Sequence, residues 1–170
     1  TLQKLRRLTW QKRPSIFLTQ LESFLASAGV KFLLVKAPKG CFASGASWQT
    51  TSGVYVIQMS FRYLSDDHFW FTLMHEIAHL LFHRDYLPVI ETNKSQINSL
   101  EAEANLFAAQ TLVPLDYQEE LMVLPASKKA IISFAKKVGV APGIIVGQMQ
   151  HHAVIGFHQM NHLKRRFKWT

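Results

Sequence analysis

The 170-residue sequence predicts a single α+β domain in which a small sheet, mixed or antiparallel, covers a helical core. Three observations carry this reading. Short apolar runs of strand length lie before residue 60, and helical periodicity takes over beyond Ser65. No Pro/Gly/Ser-rich stretch is long enough to divide the chain, and its 48% hydrophobic content suffices for one substantial core.

Taken in order, Ile16 to Ala28 places apolar residues at helical spacing (Ile16, Phe17, Leu21, Phe24, Leu25, Ala28) and ends at Gly29, a common helix stop. Val30 to Val35 and Val54 to Met59 read as strands, each opening after a glycine, and a third strand fits within Phe42 to Thr50. Ser65-Asp66-Asp67 offers N-cap residues for a long helix through His83, and Ser95 to Val113 is a second long helix stopped by Pro114. Pro114 to Val123, Ser127 to Val138 and Pro142 to His152 read as three shorter helices, the first and last with proline at or near the first turn.

The apolar runs are broken by charged residues well short of the roughly 20 residues a membrane span needs, so a soluble protein is expected. The single cysteine, Cys41, rules out an intrachain disulfide and a four-cysteine zinc site, and points to a reducing, cytoplasmic setting. A free cysteine is best read as a small buried hydrophobe rather than an inhibitory thiolate. Lysine and arginine outnumber acidic residues 19 to 11, with clusters at Lys4 to Arg13 and Lys164 to Lys168. The plainer reading of these clusters is solvated chain ends, and nucleic-acid binding by this segment is not expected. The opening at Thr1 suggests a fragment or C-terminal domain, with room for an upstream domain.

The chemistry centres on Phe69 to Phe82, a segment apolar almost all the way round, as suits a helix in the middle of a domain. Its polar exceptions Thr72, His75, Glu76 and His79, with His83 just beyond it, recur at spacings that put them on one stripe. His75-Glu76-Ile77-Ala78-His79 is an H-E-x-x-H arrangement: imidazoles one turn apart can reach a single metal ion, and the carboxylate beside the first can act as general base. A catalytic zinc takes three protein ligands and keeps one position open. Asp85 would be the third in an extended motif that needs glycine where this chain has Phe82. Glu101 or Glu103 on the later helix are the alternatives. They lie about 200° apart at roughly 3.6 residues per turn. Glu101 is favoured because Asn105, one turn on, shares its face and can bond a ligating imidazole. Alanines 102, 104, 108 and 109 would let this helix pack close to the first.

The run Phe69 to His83, followed by Glu101-Ala102-Glu103-Ala104-Asn105-Leu106-Phe107-Ala108-Ala109 and Val113-Pro114, resembles the ImmA/IrrE metallopeptidases. The resemblance implies a zincin-like fold of the glutamate-zincin type, with Zn2+ held by His75, His79 and Glu101, and Glu76 as catalytic base. It implies substrate binding by edge pairing on the strand Val54 to Met59. It also implies a protein substrate such as a helix-turn-helix repressor, and in many relatives a fused upstream DNA-binding domain of an antitoxin-like regulator. Manganese or iron stays open as the resident metal. The competing function is a non-catalytic zinc-containing sensor or partner-binding domain.

The motif names no group that would stabilise a transition state; Tyr63, Tyr86, His158 and His162 are chemically able to donate, but isolated residues of these types are usually structural. His83 is read as lining the cleft or capping the helix, with a place around the metal ligands as the alternative. Residues 127–152 have the look of a helix-turn-helix, yet Ala141-Pro142-Gly143-Ile144 offers few side chains for reading bases, so a packing role is preferred.

Overall fold

The computed structural model describes residues 2–36, 39–40, 43–60, 65–88 and 94–167, with side chains from residue 98 onward in the last of these segments. It is an α+β architecture: seven α-helices and one three-stranded sheet among the described residues. Helices α1 (Leu2–Leu8) and α2 (Pro14–Ser27) precede strands β1 (Val30–Leu34), β2 (Gly45–Gln49) and β3 (Tyr55–Met59). Then come α3 (Asp66–Phe82), α4 (Lys94–Leu112), α5 (Gln118–Met122), α6 (Lys128–Val138) and α7 (Pro142–His151).

The sheet order is β1-β3-β2, with β3 parallel to β1 and antiparallel to β2. This corrects the expectation that Val54 to Met59 offers an edge for substrate. β3 is the middle strand, and both its edges are already paired. Its burial explains the placement: Val56, Ile57 and Met59 are all buried, as suits a central strand. Among the described residues the outer strands are β1 and β2, and β2 is the one that borders α3. The bonds Ser60 N–H to Ser44 O and Thr50 N–H to Val54 O fix the ladder's phase, so Gly45, Ser47 and Gln49 turn their N–H and C=O groups away from β3.

Helix α3 runs through the core, with Phe69, Trp70, Leu73, Met74 and Ala78 buried, and packs most extensively against α4. Ala104 and Ala108 are fully buried, and their small side chains are what bring α4 close. Ala102, by contrast, is exposed. Pro114 to Val123 is not one helix but a 3-10 turn, Leu115–Tyr117, followed by α5. Helix α1 had no counterpart in the sequence reading. It docks through buried Leu5, and at its end the buried Thr9 hydroxyl accepts the Ala141 N–H at 2.8 Å.

The C-terminal basic cluster also differs from a solvated tail. Lys164 lies 2.6 Å from Asp67, both side chains nearly buried, and the Arg165 N–H donates to Asp66 Oδ1 at 3.0 Å. These acids sit in the first turn of α3, where the helix N-terminus favours negative charge. They fit because α7 carries Gly143 and Gly147 one turn apart: an added Cβ would fall 2.4 Å from Asp66 Oδ1 and 2.8 Å from Asp67 Cβ. Helices α6 and α7 meet at 104°, and Gly143 to Val146 and Gln148 to Gln150 are buried apart from the half-buried Gly147. No single helix among the described residues is long and apolar enough to cross a membrane.

Candidate metal centre

Helix α3 delivers His75, Glu76 and His79 to one side, and α4 brings Glu101 and Asn105 to face them. His75 Nε2 lies 3.0 Å from His79 Nε2. Each ring nitrogen lies 3.2 Å from a Glu101 carboxylate oxygen, Oε2 for His75 and Oε1 for His79. Around a tetrahedral ion with ligand distances of about 2.0 to 2.1 Å, adjacent ligand atoms stand roughly 3.3 Å apart, so the three side chains are spaced for one such ion. Glu103 points elsewhere, to His83, and Asp85 is exposed on a 3-10 turn.

The hydrogen bonds behind the rings set which nitrogen is free. Asn105 Oδ1 accepts from His75 Nδ1 at 2.9 Å, leaving the His75 Nε2 lone pair toward Glu101. Glu103 Oε2 accepts from His83 Nε2 at 3.0 Å, so a neutral His83 ring presents Nδ1 as an acceptor. His79 Nδ1 donates to it at 2.8 Å. Two Nε2 lone pairs therefore converge with a carboxylate, a donor set that calls for a cation. His83 is buried, and its chain to Glu103 is the arrangement that fixes a ligating imidazole in known metal sites. The sequence reading puts His83 at the cleft wall or the helix end, with a fourth ligand or a group behind the ligands as alternatives, and offers Glu103 as an alternative ligand. The i, i+4 spacing from His79 was the signal available for the first, and nothing in the sequence paired it with the second.

The electrostatics agree. Burial opposes protonation of His75, but the Glu101 hydrogen bond, the Glu76 and Glu101 charges and Asn105 together raise its pKa above the ordinary histidine value. The adjoining His75 and His79 rings hold Glu101 far below the usual carboxylate range. The site thus favours positive charge where its ligand atoms meet.

Glu76 is the buried neighbour. Burial pushes its carboxyl up, while the Ser47 hydroxyl and the two histidines pull in the other direction without cancelling the rise. Ser47 comes from β2, and so does Gly45, whose added Cβ would lie 2.8 Å from Thr72 Cγ2 and 2.9 Å from both Glu76 Cγ and Oε1. The strand can lie this close to α3 only because position 45 has no side chain. Neither residue was singled out from the sequence; a Gly-Ala-Ser run beside a turn carries no mark of what it will face.

These groups line an open cleft of about 490 Å3 between β2, α3 and α4. Among the described residues, Tyr86, His158 and His162 do not line it; Tyr63 and Cys41 lie outside the described residues. A helix bearing H-E-x-x-H, a glutamate from a second helix and a strand edge above the first define a metallopeptidase-like site. The profile of the M78 peptidases, described as the IrrE N-terminal-like domain, matches residues 44–146, more than half of the chain, and the chain belongs to that family. No curated protein matches it.

Proposed function

We propose that this chain is a zinc-dependent endopeptidase acting on a regulatory protein such as a helix-turn-helix repressor. His75, His79 and Glu101 hold the metal, Asn105 orients His75, and Glu76 is the general base. The observation that carries this is the convergence of two histidine ring nitrogens and a carboxylate beside a separate, buried carboxylate. A purely structural metal has no use for the fourth group.

Zinc bound there supplies Lewis acidity, which polarises a carbonyl and acidifies water. Glu76 takes the proton from the water whose oxygen attacks the scissile carbonyl carbon, and delivers it to the amine nitrogen as the C–N bond breaks. Burial serves this role by raising the affinity of Glu76 for the proton it must carry. The outward N–H and C=O groups of Gly45 and Ser47 hold the substrate backbone as an added strand. The regulatory-protein substrate rests on the family resemblance, and a cytoplasmic setting accords with the single cysteine.

The test is cleavage of candidate repressors by zinc-loaded wild type and Glu76→Gln. Cleavage abolished in a variant that still carries its metal supports the reading. Cleavage that persists in Glu76→Gln would remove Glu76 from its role, and metal binding with no cleavage by wild type would favour a sensor or partner-binding domain.

A further inference from the structure

The fold changes the reading of the N-terminal basic cluster. Lys4, Arg6, Arg7, Lys12 and Arg13 fall close together, and no aspartate or glutamate precedes Glu22. Arg6 is half-buried and the other four are exposed. Among the described residues, none of the five lies within ion-pair distance of an acidic group. Yet the segment is not a loose tail. Leu5 is buried, and Leu8 and Trp10 pack against the core. The Thr9 hydroxyl accepts the Ala141 N–H at 2.8 Å, and Arg165 Nη1 donates to the Gln11 carbonyl at 3.1 Å. These anchors present a surface hollow of about 560 Å3, lined by Arg7, Lys12, Arg13, Gln11 and Gln20 together with the half-buried Trp10.

We propose that this hollow binds single-stranded nucleic acid, with Arg7, Lys12 and Arg13 on its phosphates and a base against Trp10. Clustered cations that no acid neutralises attract a phosphate backbone, and each contact gains by releasing a counterion. Other polyanions fit less well. An acidic protein would need an apolar centre to its interface, whereas Leu8 and Trp10 are the only apolar residues lining this hollow; nucleic-acid interfaces are the more polar and more positive kind. An anionic membrane would need a free apolar face on α1, but Leu5 is buried and Leu8 packs against the core. A duplex would be read by a helix in its groove, and α7, the second helix of the segment that looks like a helix-turn-helix, is buried along Gly143 to Val146 and Gln148 to Gln150. A single strand leaves its bases free to stack on an indole while its phosphates track the cations.

The test is fluorescence anisotropy of a labelled oligothymidylate of about 12 nucleotides, titrated with the whole chain between about 50 and 200 mM salt. Each phosphate contact on a single strand adds a slope of about −0.7 to log K against log salt, so three contacts predict about −2. Lys12→Ala combined with Arg13→Ala, both at exposed positions, should leave a slope of about −0.7 and weaken binding by about tenfold or more at the lower salt. Lys128→Ala combined with Lys129→Ala removes the same charge at the end of α6 far from Ala141, and should change affinity by less than about twofold. An abasic strand of the same length keeps the phosphates and loses the stacking, and should bind about tenfold more weakly. No binding, an affinity indifferent to salt, or equal losses from the two double substitutions overturns the proposal. An abasic strand that binds as tightly removes the base from Trp10, and a duplex that binds more tightly overturns the choice of a single strand. Oligoglutamate binding as tightly as oligothymidylate would give the hollow to an acidic protein instead. Neither metal nor hydrolysis enters these titrations, so their failure is distinct from failure of the peptidase reading.

Discussion

Replacing Gly45 by alanine adds one methyl group where β2 meets Glu76, the proposed general base. In the present geometry that carbon falls 2.8 Å from Thr72 Cγ2, 2.9 Å from Glu76 Cγ and 2.9 Å from Glu76 Oε1. Comfortable carbon contacts are about 3.5 to 4.0 Å, so roughly 0.6 to 1 Å must be found. The strand cannot easily retreat, because its ladder with β3 holds it on both sides of position 45. The Thr72 methyl and the Glu76 side chain are the movable parts. Overpacking of this size costs typically 1 to 3 kcal/mol of stability. A displacement of the base by about 1 Å costs on the order of 100-fold in rate. The ligand atoms of His75, His79 and Glu101 are not among the contacts, so metal content should stay at the wild-type level. The assay is kcat and KM on a peptide that wild type cleaves, with metal per chain and thermal unfolding measured on the same preparations. A roughly 100-fold fall in kcat with metal retained is expected. Activity within about threefold of wild type would refute the placement of Glu76 as base, and loss of metal in parallel with activity would show that β2 supports the ligands instead.

Burial holds Asp66 at a pKa of about 6 against 3.8 when unperturbed, so between those values the folded state binds more protons than the unfolded state. Its contribution is therefore complete below pH 3.8 and is lost as pH rises toward 6, by about 3 kcal/mol at roughly 1.4 kcal/mol per pH unit. In Asp66→Asn, whose amide oxygen can keep the backbone N–H bonds from Asp67 and Arg165, urea unfolding should show that loss flattened; an unchanged pH dependence would contradict it. His83→Leu leaves the His79 Nδ1 proton without its acceptor and should weaken metal affinity about 10- to 100-fold in a chelator competition, with Glu103→Ala acting in the same direction. Glu103→Gln keeps an acceptor for His83 and should lose less. Ser47→Ala removes a hydroxyl that holds the Glu76 pKa down; since the base works ionised, the acid limb of kcat/KM should move to higher pH, and a limb that stays put or moves lower would oppose the assignment.

Much of the site was legible because its spacing is local. His75, Glu76 and His79 share a helical turn, and the shared face of Glu101 and Asn105 anticipated which acid meets the two imidazoles and which amide bonds His75. Both long helices fall within a residue or so of where periodicity put them. What could not be read depends on contacts across the fold. Strand order is invisible to strand propensity, and so Val54 to Met59 was given an edge that belongs to Gly45–Gln49. The tail cations Lys164 and Arg165 look solvated until α3 is known to bury Asp66 and Asp67 against the two glycines of α7. Gly45 and Ser47 show no chemistry of their own; their part lies in what the strand passes.

Metal stoichiometry, measured by elemental analysis on wild type and His79→Ala purified without chelator, tests the account most directly. Close to one zinc per chain is expected in wild type, with its loss in His79→Ala; wild type that binds no metal, or His79→Ala that retains it, would contradict a zinc held by His75, His79 and Glu101.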